Sequence, residues 1–257
     1  MIRARALIFI LAASFLAAPV FAAEAAPITL EEANARYQKG DFKAAEEGYG
    51  QLVASGARTS ARLYNLGNAA FRAGKKGKAL LNYRRVLEIS PRDEDARWNV
   101  LVVQSAVIDR ITDPADPLGL AVEKITAQVS ANEAAAGFTA ALALWALASF
   151  AAFAGLPAGQ AGARGGFFGA VRTLIVTAVL IFGLALAAEW YSHRDPRAVI
   201  LAKEVTARYG PSTRETKAFV LHEGAEARVI DQTKDWVYVT LQNASSGWIP
   251  RDVCETV

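Results

Sequence analysis

Two stretches of this chain are too apolar for too long to form an ordinary water-facing surface. Residues 134–155 (AAAGFTAALALWALASFAAFAG) contain no charged side chain. As a helix they extend about 33 Å, the thickness of a bilayer's hydrocarbon core. Residues 171–190 form a second run, with Arg172 near its start and Glu189-Trp190-Tyr191 at its close. An arginine near a helix end can lay its stem along the apolar region and keep its head in water. An aromatic pair suits the opposite membrane interface. The joint between the runs, residues 156–170, is short and Gly-rich, so the two are predicted to form a transmembrane hairpin. A buried hairpin in a soluble protein is the alternative.

A third apolar block opens the chain. Arg3 and Arg5 precede the run from Ala6 to Ala18, and small residues follow it through Ala22 and Ala23. Basic start, short apolar centre and small-residue exit describe a signal peptide over residues 1–22, with an uncleaved anchor helix as the alternative. A raw count of flanking basic residues does not orient the hairpin, because Lys124, Arg194, Arg197 and Lys203 balance Arg164 and Arg172. The signal peptide does orient it. Export carries the following residues out, two crossings return the C-terminal segment to the same side, and residues 156–170 become a cytoplasmic loop. The expected localisation is a bacterial inner (cytoplasmic) membrane with both soluble parts in the periplasm. The average composition, 53% hydrophobic and 21% charged, is thus the sum of apolar blocks and more polar domains.

The first soluble part repeats itself. Ala33 and Gly67, Asn34 and Asn68, Tyr37 and Phe71, Gly40 and Gly74, Ala45 and Ala79, and Tyr49 and Tyr83 all share one offset of 34 residues. That period with small and aromatic residues in these slots is the tetratricopeptide signature. Each unit is a helical hairpin: small residues allow close helix approach, aromatics fill gaps between units, and Gly40 and Gly74 end the first helix of each pair. An all-α tetratricopeptide domain is predicted over residues 27–111, with repeats at 27–59 and 60–93 and a closing helix at 94–111 capped by Asp93. The second copy carries Leu63 and Ala70 where Trp and Tyr are common. The closing helix remains apolar through Leu101-Val102-Val103, more than a solvent-facing cap needs, which points to a partner. Repeats of this type bind peptides along the face made by their first helices. Carried over by position, Asn34, Asn65, Asn68, Arg72 and Asn99 line that face, with amides for a peptide backbone and Arg72 for a carboxylate. The competing reading is that they only brace the turns.

Residues 112–133 read as a connector. Asp113-Pro114 and Asp116-Pro117 break the preceding helix, and Leu118–Val129 has the spacing of a short amphipathic helix at a membrane surface. From residue 198 the period becomes two. Val237, Val239 and Leu241 alternate onto one face, and turn residues recur at Gly210-Pro211, Glu223-Gly224, Lys234-Asp235 and Ser245-Ser246-Gly247. An all-β barrel over residues 198–257 follows. Val205-Thr206-Ala207-Arg208-Tyr209-Gly210-Pro211-Ser212, Leu221-His222-Glu223-Gly224, Trp236-Val237-Tyr238-Val239 and Gly247-Trp248-Ile249-Pro250 together resemble the bacterial SH3-like family, with Ala207 where that family more often has Asn. The resemblance implies a peptide- or peptidoglycan-binding surface on Tyr209, Trp236 and Trp248. The alternative is that both tryptophans complete the core, with His222 a simple turn residue.

Signal peptide, short repeat array, membrane hairpin and SH3-like domain, in this order, resemble the BatE-like branch of the aerotolerance-operon (Bat) family. The likeness spans nearly the whole chain and rests on architecture. It implies a multidomain membrane protein acting as an envelope scaffold linked to oxidative-stress tolerance. It implies partners such as von Willebrand factor A-domain membrane proteins and a MoxR-type ATPase system.

Catalytic machinery is not evident. Gly74-Lys75-Lys76-Gly77-Lys78 lacks the spacing and the terminal Ser or Thr of a phosphate loop. His193 and His222 stand far apart, and the lone Cys254 excludes an internal disulfide and reads as a spectator in a terminal tail. The expectation is no enzyme, no cofactor, no metal and no nucleic acid, since a net charge of +3 is small.

Overall fold

The structure, a computed structural model, describes residues 28–56, 58–109, 117–153, 163–192, 196–241 and 244–257. The signal peptide expected at 1–22, residues 112–116 of the connector, His193 and much of the expected hairpin loop lie outside these residues.

Five helices come first: α1 (Leu30–Gln38), α2 (Phe42–Ala54), α3 (Ser60–Arg72), α4 (Lys76–Ile89) and α5 (Glu94–Ala106). Each start except that of α4 is capped by an oxygen. Thr29, Asp41, Thr59 and Asp93 accept a backbone N–H from the first turn of α1, α2, α3 and α5, which satisfies a donor the helix cannot use itself. Gly40 and Gly74 stop α1 and α3 at φ of 80° and 82°. There the N–H groups of Asp41 and Lys75 bond back to Arg36 and Ala70, a closure that needs the left-handed backbone only glycine adopts freely. Consecutive helices pack side by side. Gly67 lets the Tyr83 ring lie on α3, since a Cβ there would sit 2.7 Å from the ring. Two helical hairpins and a fifth helix therefore stand in a row, as the 34-residue period requires.

A short helix α6 (Pro117–Thr126) leads to two long helices, α7 (Ala131–Phe153) and α8 (Ala163–Ser192). Within these, Ala131–Phe150 and Gly169–Tyr191 are long and apolar enough to cross a membrane, with mean hydropathies of 1.4 and 2.2. They run antiparallel, with Gly137 seating the Phe182 ring and Gly183 facing Phe138. Small-residue contacts of this kind let apolar helices approach closely in lipid. One boundary differs from expectation. α8 begins at Ala163, inside the stretch read as loop. The glycines it includes there are Gly165, Gly166 and Gly169. Each costs about 1 kcal/mol in a helix, too little to stop one that Phe167, Phe168 and the following apolar run propagate.

The remainder is one antiparallel sheet: β1 (Arg197–Ile200), β2 (Glu204–Arg208), β3 (Lys217–His222), β4 (Glu226–Gln232), β5 (Trp236–Thr240), β6 (Ser246–Pro250) and β7 (Cys254–Thr256). The strand order is β3-β2-β6-β5-β4-β1-β7. The sheet curls, because Ile200 of β1, Val205 of β2, Leu221 of β3 and Ile249 of β6 share one core with Val237 and Val239.

Candidate functional site

The helical row and the sheet do not stand apart. α4 and α5 carry the sheet on one face. Val199 of β1 is fully buried in the core of α3, α4 and α5, beside Leu80, Leu81 and Val103. Arg84 on α4 donates from Nε and Nη2 to the two carboxylate oxygens of Glu226 at 2.8 and 3.0 Å. Gln104 on α5 donates to the same carboxylate at 2.8 Å. Arg85 reaches Glu255 and the Thr256 carbonyl, both at 2.7 Å. Asp109, just past α5, accepts the His222 backbone N–H at 2.6 Å and lies 3.1 Å from its Nδ1. The N–H of Gly77, in the first turn of α4, bonds the Glu223 carboxylate at 3.0 Å. Burial alone would favour a neutral Glu226. The Arg84 charge and the hydrogen bonds from Arg84 and Gln104 outweigh it and hold the carboxyl below its ordinary range.

This seam joins the helical row to the sheet. His222 is not a simple turn residue but ends β3 against Asp109. The repeat itself carried the signal. Leu81, 1% exposed, occupies the slot that Glu47 fills in the first unit, where it is exposed. Gly77 likewise occupies the slot of the exposed Lys43. A second unit that is apolar and small where the first is charged announces a covered face.

The lysine-rich turn at the start of α4 is also accounted for. Lys75 and Lys78 both meet the carboxylate of Glu46 on α2, which is 1% exposed. Lys76 donates to the Ala106 carbonyl at 2.7 Å. These lysines tie helices together. Burial raises the Glu46 pKa, and the two lysines reverse the sign, leaving it below the ordinary value.

The five residues carried over to the first-helix face fall on α1, α3 and α5. Asn34 and Asn68 hold equivalent places and make equivalent bonds. The Tyr49 hydroxyl donates to Asn34 Oδ1 at 2.6 Å, and that of Tyr83 to Asn68 Oδ1 at 2.7 Å. Burial raises both tyrosine pKa values, so both remain donors. Asn99 donates to the Tyr64 hydroxyl at 3.2 Å and approaches Asn68 Oδ1 at 3.4 Å. Asn65, Asn68 and Arg72 share one face of α3 by their spacing. Arg72 is exposed, with its guanidinium 4.2 Å above the Phe42 ring, an attractive cation–π geometry.

On the sheet, Trp236 and Trp248 are half-buried and absent from the core, which Val237, Val239 and Ile249 fill. Both project outward on β5 and β6 with Tyr238, whose ring centroid is 5.1 Å from that of Trp248. Trp248 pairs with Arg208 of β2 in register, next to Tyr209, which is exposed. Tyr238 belongs to this aromatic face, and the alternation Trp236-Val237-Tyr238 already placed it there. Cys254 is not in a free tail: it lies in β7 and packs partly against the sheet core. Among the described residues no group of His, Cys, Asp and Glu converges as metal ligands would.

Comparison with protein-family models, curated proteins and solved structures gives no match.

Proposed function

We propose that this chain is a membrane-anchored, non-enzymatic scaffold of the aerotolerance (Bat) type. Its tetratricopeptide array and SH3-like domain face the periplasm as one docked unit beside the inner membrane. The seam built on Glu226 carries this reading. A hairpin of two crossings separates α5 from β1, so docking of the two soluble parts is natural only when both lie on one membrane side. The tyrosine–asparagine pairs support a binding role for the first-helix face. Each tyrosine hydroxyl occupies an amide oxygen, which fixes the side chain and turns its N–H2 donors toward a peptide carbonyl. Arg72 supplies the charge for an acidic group. The partners implied are von Willebrand factor A-domain membrane proteins acting with a MoxR-type ATPase.

The test is co-purification of the full chain, in detergent, with such an A-domain membrane protein. Asn65→Ala/Arg72→Glu is the chosen variant, because Asn68→Ala would strand the buried Tyr83 hydroxyl at a cost of about 1–3 kcal/mol. Capture by the native chain and loss in the folded variant support the scaffold. Equal capture by both removes the groove from it.

A second reading rests on the aromatic face. Trp236, Tyr238 and Trp248 present ring surfaces that the core does not use, and flat apolar surfaces with polar edges suit glycan or peptide strands. Sedimentation of the full chain with purified peptidoglycan, reduced by Trp248→Ala, favours a cell-wall sensor. No sedimentation leaves the scaffold alone.

A further inference from the structure

The side of α5 turned away from the helical core exposes two large apolar side chains beyond the acidic first turn of Glu94 and Asp95. Trp98 is 67% exposed and Leu101 59% exposed, three residues apart and therefore neighbours on the helix surface. Arg97 lies beside them and shows which way this face looks. Its guanidinium donates to the Pro91 carbonyl at 2.6 Å and to the Ala127 carbonyl at 2.7 Å. Ala127 sits between α6 and α7, just before the first long apolar helix begins. Arg92, preceding α5, pairs with Glu133 in the first turn of α7, and Ser130 and Glu133 cap that turn reciprocally. Two tethers therefore hold the first half of α5 at the head of α7.

The level of that head relative to a bilayer follows from the hairpin. Gly137 opposite Phe182 and Gly183 opposite Phe138 fix the antiparallel register. Counting back along α7 and forward along α8 brings the start of α7 level with Glu189, Trp190 and Tyr191 of α8. Trp190 is 70% exposed, and an exposed Trp-Tyr pair at the end of an apolar helix marks the headgroup layer. α6, with exposed Lys124, packs on α8 in the same zone.

From these contacts we infer that α5 rests on the membrane, with Trp98 and Leu101 inserted at the boundary between phospholipid headgroups and acyl chains. The inference rests on the reading of α7 and α8 as membrane-spanning. The apolar excess of the closing helix thus has a lipid partner, Arg92 and Arg97 act as struts setting the height of the repeat domain, and the docked sheet is held at that height with it.

The test uses the full chain carrying Cys254→Ser, reconstituted in phosphatidylcholine–phosphatidylglycerol vesicles, with an environment-sensitive fluorophore on one introduced cysteine. The positions are Trp98→Cys, Leu101→Cys, Ser55→Cys on the far hairpin and Phe150→Cys within α7. Quenching by a shallow nitroxide lipid and by aqueous iodide is measured at each. The inference predicts strong shallow-lipid quenching and weak iodide quenching at 98 and 101, the reverse at 55, and lipid rather than iodide quenching at 150. Lipid quenching at 150 but iodide quenching at 98 and 101 overturns the inference and leaves the span intact. Protection of 98 and 101 from both quenchers overturns it in favour of a protein covering the face. Iodide quenching at 150 overturns the membrane reading itself.

Discussion

Arg84 and Glu226, 142 residues apart in the chain, meet in a two-point ion pair that fastens the helical row to the sheet. Both side chains are mostly buried, so the bond is charge-assisted in a region poor in water. Removing one partner leaves the other without compensation. Glu226→Gln should therefore lower the unfolding free energy by about 2 kcal/mol, and Arg84→Met by a similar amount. The double variant should lose less than the sum. A denaturant-unfolding cycle on the detergent-solubilised chain measures this, and strict additivity would mean the pair is not coupled.

The same pair sets an acid limit. The Glu226 carboxyl is held below the ordinary 4.5, with burial opposing ionisation and Arg84 and Gln104 overcoming it. A carboxyl depressed in the folded state contributes its stability above the unfolded value and loses it as pH falls through the folded value. The stability gap between the native chain and Glu226→Gln should be constant near neutral pH and close below about pH 4. Thermal unfolding followed across that range checks it. A gap that widens on acidification contradicts the assignment.

Gly77 offers a steric test of docking. A Cβ there would collide with the Ile200 carbonyl and come within 3.2 Å of the Gly224 nitrogen, and backbone cannot step aside as a side chain can. Gly77→Ala should destabilise the chain by about 1–3 kcal/mol, although alanine favours a helix. Gly50, also helical, has nothing within 4 Å of its built Cβ, so Gly50→Ala should stabilise by up to about 1 kcal/mol. Opposite signs from one substitution type, read from melting temperatures, are the expected outcome.

The helical row was legible because its period is written in residues with single physical jobs. Gly40 and Gly74 adopt the left-handed backbone, Asp93 caps α5, and Tyr49 and Tyr83 recur in equivalent contacts. The alternation in β5 was equally plain, and it sends Trp236 and Tyr238 outward. The seam was not legible as such. Its partners, Arg84 with Glu226 and Asp109 with His222, are far apart in sequence and have no local pattern to announce them. Only the contrast between the repeats, Leu81 against Glu47 and Gly77 against Lys43, marked the covered face. The start of α8 was missed because glycine weakens a helix without ending it, and Cys254 was misjudged because nearness to a terminus says nothing about burial.

Cys254 has a measurable consequence. Burial pushes its thiol up to about 11, with Arg251 partly opposing and Asp252 and Glu255 reinforcing the rise. Little thiolate is present at neutral pH, and thiolate is the nucleophile. Maleimide or disulfide reagents should label native protein slowly at neutral pH, faster by about tenfold per pH unit up to pH 10, and rapidly once unfolded. Rapid labelling of native protein at neutral pH would contradict the packing of β7.

The central claim, a repeat domain and a sheet docked on one side of a two-helix anchor, is tested most directly by accessibility from one side of a sealed membrane. Lys43→Cys on the repeats and Arg214→Cys on the sheet, both exposed positions, are introduced separately into the full chain carrying Cys254→Ser. Each is treated with a membrane-impermeant maleimide on intact spheroplasts. Labelling of both before lysis is the predicted result. Labelling of one before lysis and the other only after it would contradict the account.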